Sequence, residues 1–139
     1  MPTSLPDLVV RLDLPRLMAY GASTWDWHRM HYDVENARAR GFDGAVVDGQ
    51  MFGALIARQV REWAGPRVRF RELAFRNRGF VVAPSTVTLR ASVSARDATQ
   101  QGERIEIATR VFDESGRCVV DGARTIVELQ RAPLPGARD

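Results

Sequence analysis

The chain has no lysine, a single cysteine and only two histidines among its 139 residues. One cysteine, Cys118, excludes an internal disulfide and any metal site built from thiolates. All 20 basic residues are arginine, and they are scattered along a chain with a net charge of only +3. Nucleic-acid binding needs a basic stripe or patch, so nucleic acid is not an expected partner.

Long apolar runs are also missing. No stretch approaches the length of a membrane span, and the start of the chain lacks the basic and apolar regions of a secretory signal peptide. The composition, 45% hydrophobic and 27% charged, is that of an ordinary globular protein. We expect one domain over residues 1–139, no membrane contact and a cytoplasmic location. Proline and polar residues predict a flexible tail over about residues 131–139.

The first half of the sequence carries helix signals. Asp13 is suited to cap a short helix that ends at Gly21. The one long helix is predicted over about residues 49–64, with Asp48 or Gly49 at its start. The side chains that recur along it at helical spacing are Met51, Phe52, Leu55, Ile56, Gln59, Val60 and Trp63. Such a stripe is typical of a helix that lies against a sheet.

After Pro66 the hydrophobic pattern changes to alternation. The alternating segments are residues 68–75, 86–95, 103–112 and 118–130. The first of them changes register near Glu72, and the sequence DESGR, residues 113–117, predicts a hairpin turn between the last two. Helices followed by antiparallel strands predict an α+β domain in which the sheet packs round the long helix.

The stretch DWHRMH, residues 26–31, contains both histidines and an aspartate. Zinc needs three or four ligands, and two histidines without thiolates do not supply them, so no metal is expected. Asp26 and His31 are suited to hold one water between them, with the carboxylate polarising it while the imidazole moves a proton. The remaining interpretation is that the histidines are ordinary residues in an aromatic corner with Trp25 and Trp27.

A second candidate element is VVDGQM, residues 46–51, at the start of the long helix. A glycine in the first turn leaves its backbone N–H free, with the helix dipole behind it. Gly49 is therefore a possible donor to a carbonyl oxygen that gains negative charge. The alternative is that Asp48 caps the helix and that Gly49 only fits the space at the helix start, without binding a ligand.

Residues 20–37, YGASTWDWHRMHYDVENA, resemble the signature of the MaoC-like, (R)-specific enoyl-CoA hydratase (hydratase 2) family. The residues in register with that signature are Asp26, Met30, His31 and Ala37. The start of the family's central helix resembles VVDGQM, in which Gly49 stands at the position of the family's glycine. A later family segment resembles LAFRNRGFVVAPSTVTLRASV. The similarity covers about residues 15–130 and implies a hot-dog fold, an antiparallel sheet wrapped around one long helix.

The resemblance implies a hydro-lyase, an enoyl-thioester hydratase or 3-hydroxyacyl-thioester dehydratase of fatty acid metabolism. The implied reaction is reversible syn addition of water to a trans-2-enoyl-CoA or acyl-carrier-protein (ACP) thioester. In hydration, Asp26 would draw a proton from water and His31 would deliver one to the α-carbon. The backbone N–H of Gly49 would stabilise the enolate oxygen. No cofactor is implied beyond the CoA or pantetheine of the substrate.

The family comparison also suggests residues that shape substrate binding. Trp25, Trp27 and Phe80 are expected to define the acyl channel. By their location, Arg71, Arg76 and Arg78 are expected to meet the phosphates of a CoA or pantetheine that lies along the groove between two subunits; the alternative is that they form only a solvated strand face. The acyl chain itself, the choice between CoA and ACP, and the physiological direction stay open.

The chain departs from the family pattern at Asp48, where the family has histidine, and at His28, where it has asparagine. The Asp48 charge would oppose enolate formation if it pointed inward, but would do little harm as a helix cap. His28 is expected to be a structural hydrogen-bonding partner. Asp48 also keeps a hot-dog acyl-CoA thioesterase open as an alternative, and a catalytically silent acyl-binding subunit is a third. We expect a homodimer, with a hetero-oligomer as the alternative.

Overall fold

The computed structural model describes residues 3–131, so residues 132–139 of the predicted tail lie outside the described residues. The elements in chain order are β1 (Leu8–Leu12), α1 (Leu14–Thr24), a 3₁₀ turn (Arg29–His31), α2 (Val34–Ala39), α3 (Gly49–Ala64), β2 (Val68–Ala74), β3 (Ser85–Thr99), β4 (Gly102–Phe112) and β5 (Cys118–Gln130). None of the helices in this part of the chain is long and apolar enough to cross a membrane.

The five strands form one antiparallel sheet in the order β1-β3-β4-β5-β2. β3, β4 and β5 follow one another as a meander, while β1 and β2 occupy the two edges. The pairing of β2 shifts between Phe70 and Glu72, which confirms the predicted change of register. The sheet curls around α3, and the predicted α+β hot-dog fold is confirmed.

Helix α3 has the predicted bounds and turns its apolar face to the sheet. Its buried residues are Met51, Phe52, Leu55, Ile56, Gln59 and Val60, while Trp63 is half-buried. Each large apolar side chain buried here contributes about 1.5–3 kcal/mol. The one polar member, Gln59, donates through Nε2 to the carbonyls of Leu89 (3.1 Å) and Pro6 (2.8 Å). It therefore ties α3 both to β3 and to the N-terminal segment.

One strand was missed and one helix end was wrong. Strand β1 was not predicted, because five residues with Val9 exposed give little alternation, and its pairing with β3 depends on distant residues. Helix α1 does not end at Gly21 but continues to Thr24, and Trp25 follows as a left-handed C-cap with φ 59°. Gly21 is instead needed because a Cβ there would lie 2.8 Å from the carbonyl oxygen of Asp26.

Candidate active site

Asp26 is held by the backbone that follows α1. Its N–H donates to the carbonyl of Gly21 (3.0 Å), and its Oδ1 accepts from the N–H of His28 (3.1 Å). The missing Cβ of Gly21 lets the Asp26 peptide pack directly on the helix. These contacts place the carboxylate by local geometry.

His31 ends the 3₁₀ turn and faces the segment that leads into α3. Its Nδ1 lies 2.7 Å from the carbonyl oxygen of Val46. Because a carbonyl only accepts hydrogen bonds, Nδ1 carries the hydrogen, and Nε2 is the ring nitrogen left to exchange a proton with a ligand. The N–H of Val46 in turn donates to the carbonyl of Met30 (2.8 Å). The imidazole is thus fixed in both orientation and tautomer.

Asp48 brings a third ionisable group to the same place. It caps α3, since its Oδ1 accepts from the N–H of Gln50 at 2.9 Å. One oxygen of Asp48, one oxygen of Asp26 and one ring nitrogen of His31 lie within 4.8 Å of one another. Asp48 therefore caps α3 as expected. Its carboxylate also faces Asp26 and His31, so capping the helix does not turn the charge away from the predicted catalytic pair.

Two carboxylates and an imidazole are also ligand types for a divalent cation. Sequence reasoning did not find a third ligand because Asp48 lies in a different segment from Asp26 and His31. Zinc ligands at about 2.0–2.2 Å from the metal are separated by roughly 3.5 Å, and the three atoms here lie within 4.8 Å of one another, so their spacing is compatible with an ion. The expectation that the chain needs no metal stays a prediction.

Tyr20 faces the same cluster from α1. Burial, together with the charges of Asp48 and Asp26, raises the pKa of the Tyr20 hydroxyl above its usual range. Tyr20 therefore remains protonated at neutral pH and can donate a hydrogen bond. Leu17 and Met51 are the apolar side chains beside Tyr20 and this cluster. Sequence reasoning did not assign Tyr20 a role, and its only signal was an aromatic at the start of the signature.

A cleft of about 330 Å³ opens beside the cluster. The residues that line it are Met30, His31, Val47, Gly49, Phe52, Asn77, Arg78, Gly79 and Phe80. Met30, Val47 and Phe52 give it an apolar side, and His31 and Gly49 open onto it. The cleft can therefore hold an apolar chain with its polar end beside His31.

The start of α3 supplies a hydrogen-bond donor to this cleft. The N–H of Gln50 and that of Met51 are used by Asp48, through its side chain and its carbonyl respectively. The N–H of Gly49 has no intrahelical acceptor, and none is found for it among residues 3–131. With the positive end of the helix dipole behind it, this donor favours an oxygen that gains negative charge.

The residues expected to bind substrate fall into two groups. Phe80 and Arg78 line the cleft. Trp25 and Trp27 do not line it: their side chains are 81% and 41% exposed, and their ring centroids lie 6.2 Å apart in an edge-to-face contact. Arg76 is exposed and also lies outside the cleft lining.

His28 has a different environment from His31. Its Nδ1 accepts from the N–H of Met30 at 3.4 Å and so caps the 3₁₀ turn. The centroids of the two imidazole rings are 5.7 Å apart. The hydrogen bond from Met30 agrees with the structural role expected for His28.

Comparison with known proteins adds to this geometry. A family model described as "MaoC like domain" matches residues 10–114. The mitochondrial 3-hydroxyacyl-[acyl-carrier-protein] dehydratase of Arabidopsis thaliana is 25% identical over 124 residues, covering 84% of this chain and 74% of that protein.

Two solved structures are similar over nearly their whole length. The (R)-hydratase from A. caviae involved in PHA biosynthesis has a TM-score of 0.83 and 19% identity, with 93% of this chain and 97% of that chain covered. A chain of the ChsH1-ChsH2 complex from Mycobacterium tuberculosis has a TM-score of 0.81 and 24% identity, with 91% of this chain and 95% of that chain covered. At these identities the likeness shows the fold.

Proposed function

Because the chain belongs to the MaoC-like domain family, we propose that it is an enoyl-thioester hydratase or 3-hydroxyacyl-thioester dehydratase. The observation that carries the proposal is that Asp26 and His31 lie together, and that His31 opens onto the same cleft as Gly49. The names of the relatives, a dehydratase and an (R)-hydratase, favour the same reaction class. The substrate we propose is the thioester of CoA or of an acyl-carrier protein.

The geometry suits proton transfer in both directions. In dehydration, the Nε2 lone pair of His31 takes the α-proton, and protonated Asp26 gives its proton to the leaving hydroxyl, which departs as water. A proton passing from His31 to Asp26 then restores the starting state. Hydration is the reverse, so Asp26 draws a proton from water and protonated His31 delivers one to the α-carbon.

The negative charge that develops between these steps collects on the thioester carbonyl oxygen. The proposed donor to this oxygen is the N–H of Gly49, which lines the cleft, and an interaction that strengthens as charge develops lowers the barrier. The acyl chain would then lie along Met30, Val47 and Phe52. No step calls for a metal ion, so a chelator should leave the activity unchanged.

The first test follows the enoyl absorbance of crotonyl-CoA during hydration. Asp26→Asn and His31→Asn should each lower turnover by about a hundredfold or more, the low end for loss of a general acid or base. Asp43→Asn, an exposed aspartate of the same region, is the control for Asp26. His28→Asn keeps a side-chain acceptor for the 3₁₀ turn and is the control for His31. Full activity in both catalytic variants would refute the proposed pair.

Thioester hydrolysis is the second candidate, because Asp48 places a carboxylate at the start of α3 and within the cluster. The same reaction mixture separates the two activities. A hydratase lowers the enoyl absorbance and releases no free thiol, whereas a thioesterase releases thiol in proportion to substrate lost. A catalytically silent subunit would do neither until a partner chain is added.

We also propose that the chain functions as an oligomer, a homodimer first and a hetero-oligomer second. Two edge strands, β1 and β2, end the sheet, and exposed edges are sites where another chain can pair. A similar solved structure is named as a ChsH1-ChsH2 complex.

A further inference from the structure

The segment that follows β2 runs along the first turns of α3, and two glycines of the helix receive it. A Cβ on Gly53 would lie 2.6 Å from Cε1 of Phe75, and a Cβ on Gly49 would overlap the side-chain amide of Asn77. Four helix residues rise about 6 Å and two extended residues about 6.6 Å. Phe75 and Asn77, two residues apart in the segment, therefore lie against Gly53 and Gly49, which are four residues apart in the helix.

Asn77 is held in this position by its backbone. It forms a β-bridge with Val120, and the N–H of the next residue, Arg78, donates to the carbonyl of Val119 at 2.7 Å. Both contacts belong to β5, in the interior of the sheet. The position of the Asn77 side chain against Gly49 therefore rests on the sheet as well as on the helix.

The carboxamide of Asn77 is available for a ligand. Within the described part of the chain it makes no hydrogen bond, although its Nδ2 carries two N–H donors. It lines the cleft together with Gly49 and His31. The side-chain amide of Asn77 lies directly against Gly49, the residue whose backbone N–H is the proposed donor.

We propose that Asn77 is a second donor to the thioester carbonyl oxygen, acting beside the N–H of Gly49. This inference rests on the proposed hydratase function, since it concerns the oxygen on which the enolate charge collects. In the proposed mechanism Asp26 holds a proton while the enolate exists, so the charge that opposes the enolate is that of Asp48, which lies in the same cluster. A neutral amide donor offsets this cost without introducing a cation that would pair with either carboxylate.

The kinetic test compares Asn77→Ala and Asn77→Asp with the wild-type protein in crotonyl-CoA hydration. Loss of one oxyanion donor costs about 10²–10³ in kcat in a well-enclosed site. Asn77 is exposed, so we expect a loss of at least about tenfold in kcat for Asn77→Ala, and a larger one for Asn77→Asp because it adds a charge. Gln100→Ala, which removes an exposed carboxamide in the β3–β4 turn, is the control.

A spectroscopic test does not depend on turnover. An enoyl-CoA labelled with ¹³C at the thioester carbonyl is bound to Asp26→Asn, with and without Asn77→Ala, and its carbonyl stretch is measured by infrared difference spectroscopy. A lost donor should move the stretch toward its value in free solution. An unchanged stretch, or a higher KM with kcat within threefold of wild type, would overturn the assignment of Asn77.

The same set of proteins separates this inference from the function on which it rests. If Asp26→Asn abolishes hydration and Asn77→Ala does not slow it, the hydratase proposal stands and the role of Asn77 is refuted. If Asp26→Asn and His31→Asn both keep full activity, the proposed function fails first. Thermal unfolding of each variant shows whether a lost activity reflects a lost fold.

Discussion

Asp48 carries two roles that act in opposite directions. It stabilises the start of α3 as an N-cap, and its charge lies within 4.8 Å of Asp26 and His31. Asn caps a helix as well as Asp does, so Asp48→Asn keeps the cap and removes the charge. We expect kcat for hydration to rise about threefold to tenfold, because the charge of a carboxylate beside the proposed catalytic pair opposes the enolate. A fall in kcat would instead assign Asp48 to the chemistry.

Gly21 positions Asp26 without contacting the cleft. A Cβ on this residue would lie 2.8 Å from the Asp26 carbonyl oxygen, so Gly21→Ala must displace Asp26 or the end of α1. Small displacements of a catalytic group are costly, and we expect kcat to fall about tenfold. Ala22→Ser, a change at the exposed neighbouring position, is the matched control. Equal kcat values for the two variants would show that this packing does not place Asp26.

Some contacts between site residues could be predicted from the sequence, and others could not. The pairing of Asp26 with His31 could be predicted because both residues belong to one short segment with a known family pattern. The approach of Asp48 and of Asn77 could not, because each is brought to the site by packing between distant segments. The tautomer of His31 was also beyond prediction, since it depends on the carbonyl of Val46.

Among the elements, the β4–β5 turn reaches the cleft. Asp113 accepts hydrogen bonds from Ser115 and Arg117, and Arg117 donates through Nη2 to the carbonyl of Phe80 at 2.5 Å. Burial alone would raise the pKa of Asp113, but these hydrogen bonds lower it below its usual 3.8. The turn therefore holds one wall of the cleft through an ionised carboxylate.

We expect Asp113→Asn to lower the free energy of unfolding by about 1–2 kcal/mol and to raise KM for the acyl thioester. A lowered folded-state pKa contributes stability above the unfolded value and loses it as pH falls toward the folded value. The stabilisation by Asp113 should thus be complete above about pH 5 and decline below pH 3.8. Thermal unfolding from about pH 6 to about pH 3 checks this, with the exposed Asp97→Asn as the control.

Packing between α3 and the segment after β2 gives a second element-scale prediction. Gly53→Ala gains about 1 kcal/mol of helix propensity, but its methyl would lie 2.6 Å from the Phe75 ring. Overpacking costs about 1–3 kcal/mol, so we expect a net loss of stability of up to about 2 kcal/mol. In a Phe75→Leu background the same change should cost less. Additive effects in this double-mutant cycle would contradict direct contact as the cause.

The elements themselves were mostly predictable, and the exceptions have a physical reason. Helix α3 and the strands β2 to β5 carry strong periodic patterns and all of them are present, although β3 continues to Thr99, four residues beyond the predicted segment. Strand β1 is short and exists through its pairing with β3. The end of α1 differs from the prediction because Gly21 does not stop the helix; its missing Cβ admits the Asp26 peptide.

For the whole molecule, the testable quantity is the mass in solution. Light scattering should give about twice the 15.6 kDa of one chain if the proposed homodimer forms. Within residues 3–131, Trp25, Trp27 and Phe80 are exposed, and exposed apolar groups of this size are often covered by another chain. A mass of 15.6 kDa at all accessible concentrations, with full activity, would contradict the dimer. Activity that needs a second, different chain would favour the hetero-oligomer.

The order of elements along the chain has a consequence for synthesis. Four of the five strands that cover α3 come after it, and β5 ends at Gln130 whereas α3 ends at Ala64. At about 5–20 residues per second, a ribosome needs roughly 3–13 seconds to make the intervening stretch. Throughout that time the apolar face of α3 lacks the complete sheet that covers it, so the nascent chain is a candidate for chaperone binding until its last strand emerges.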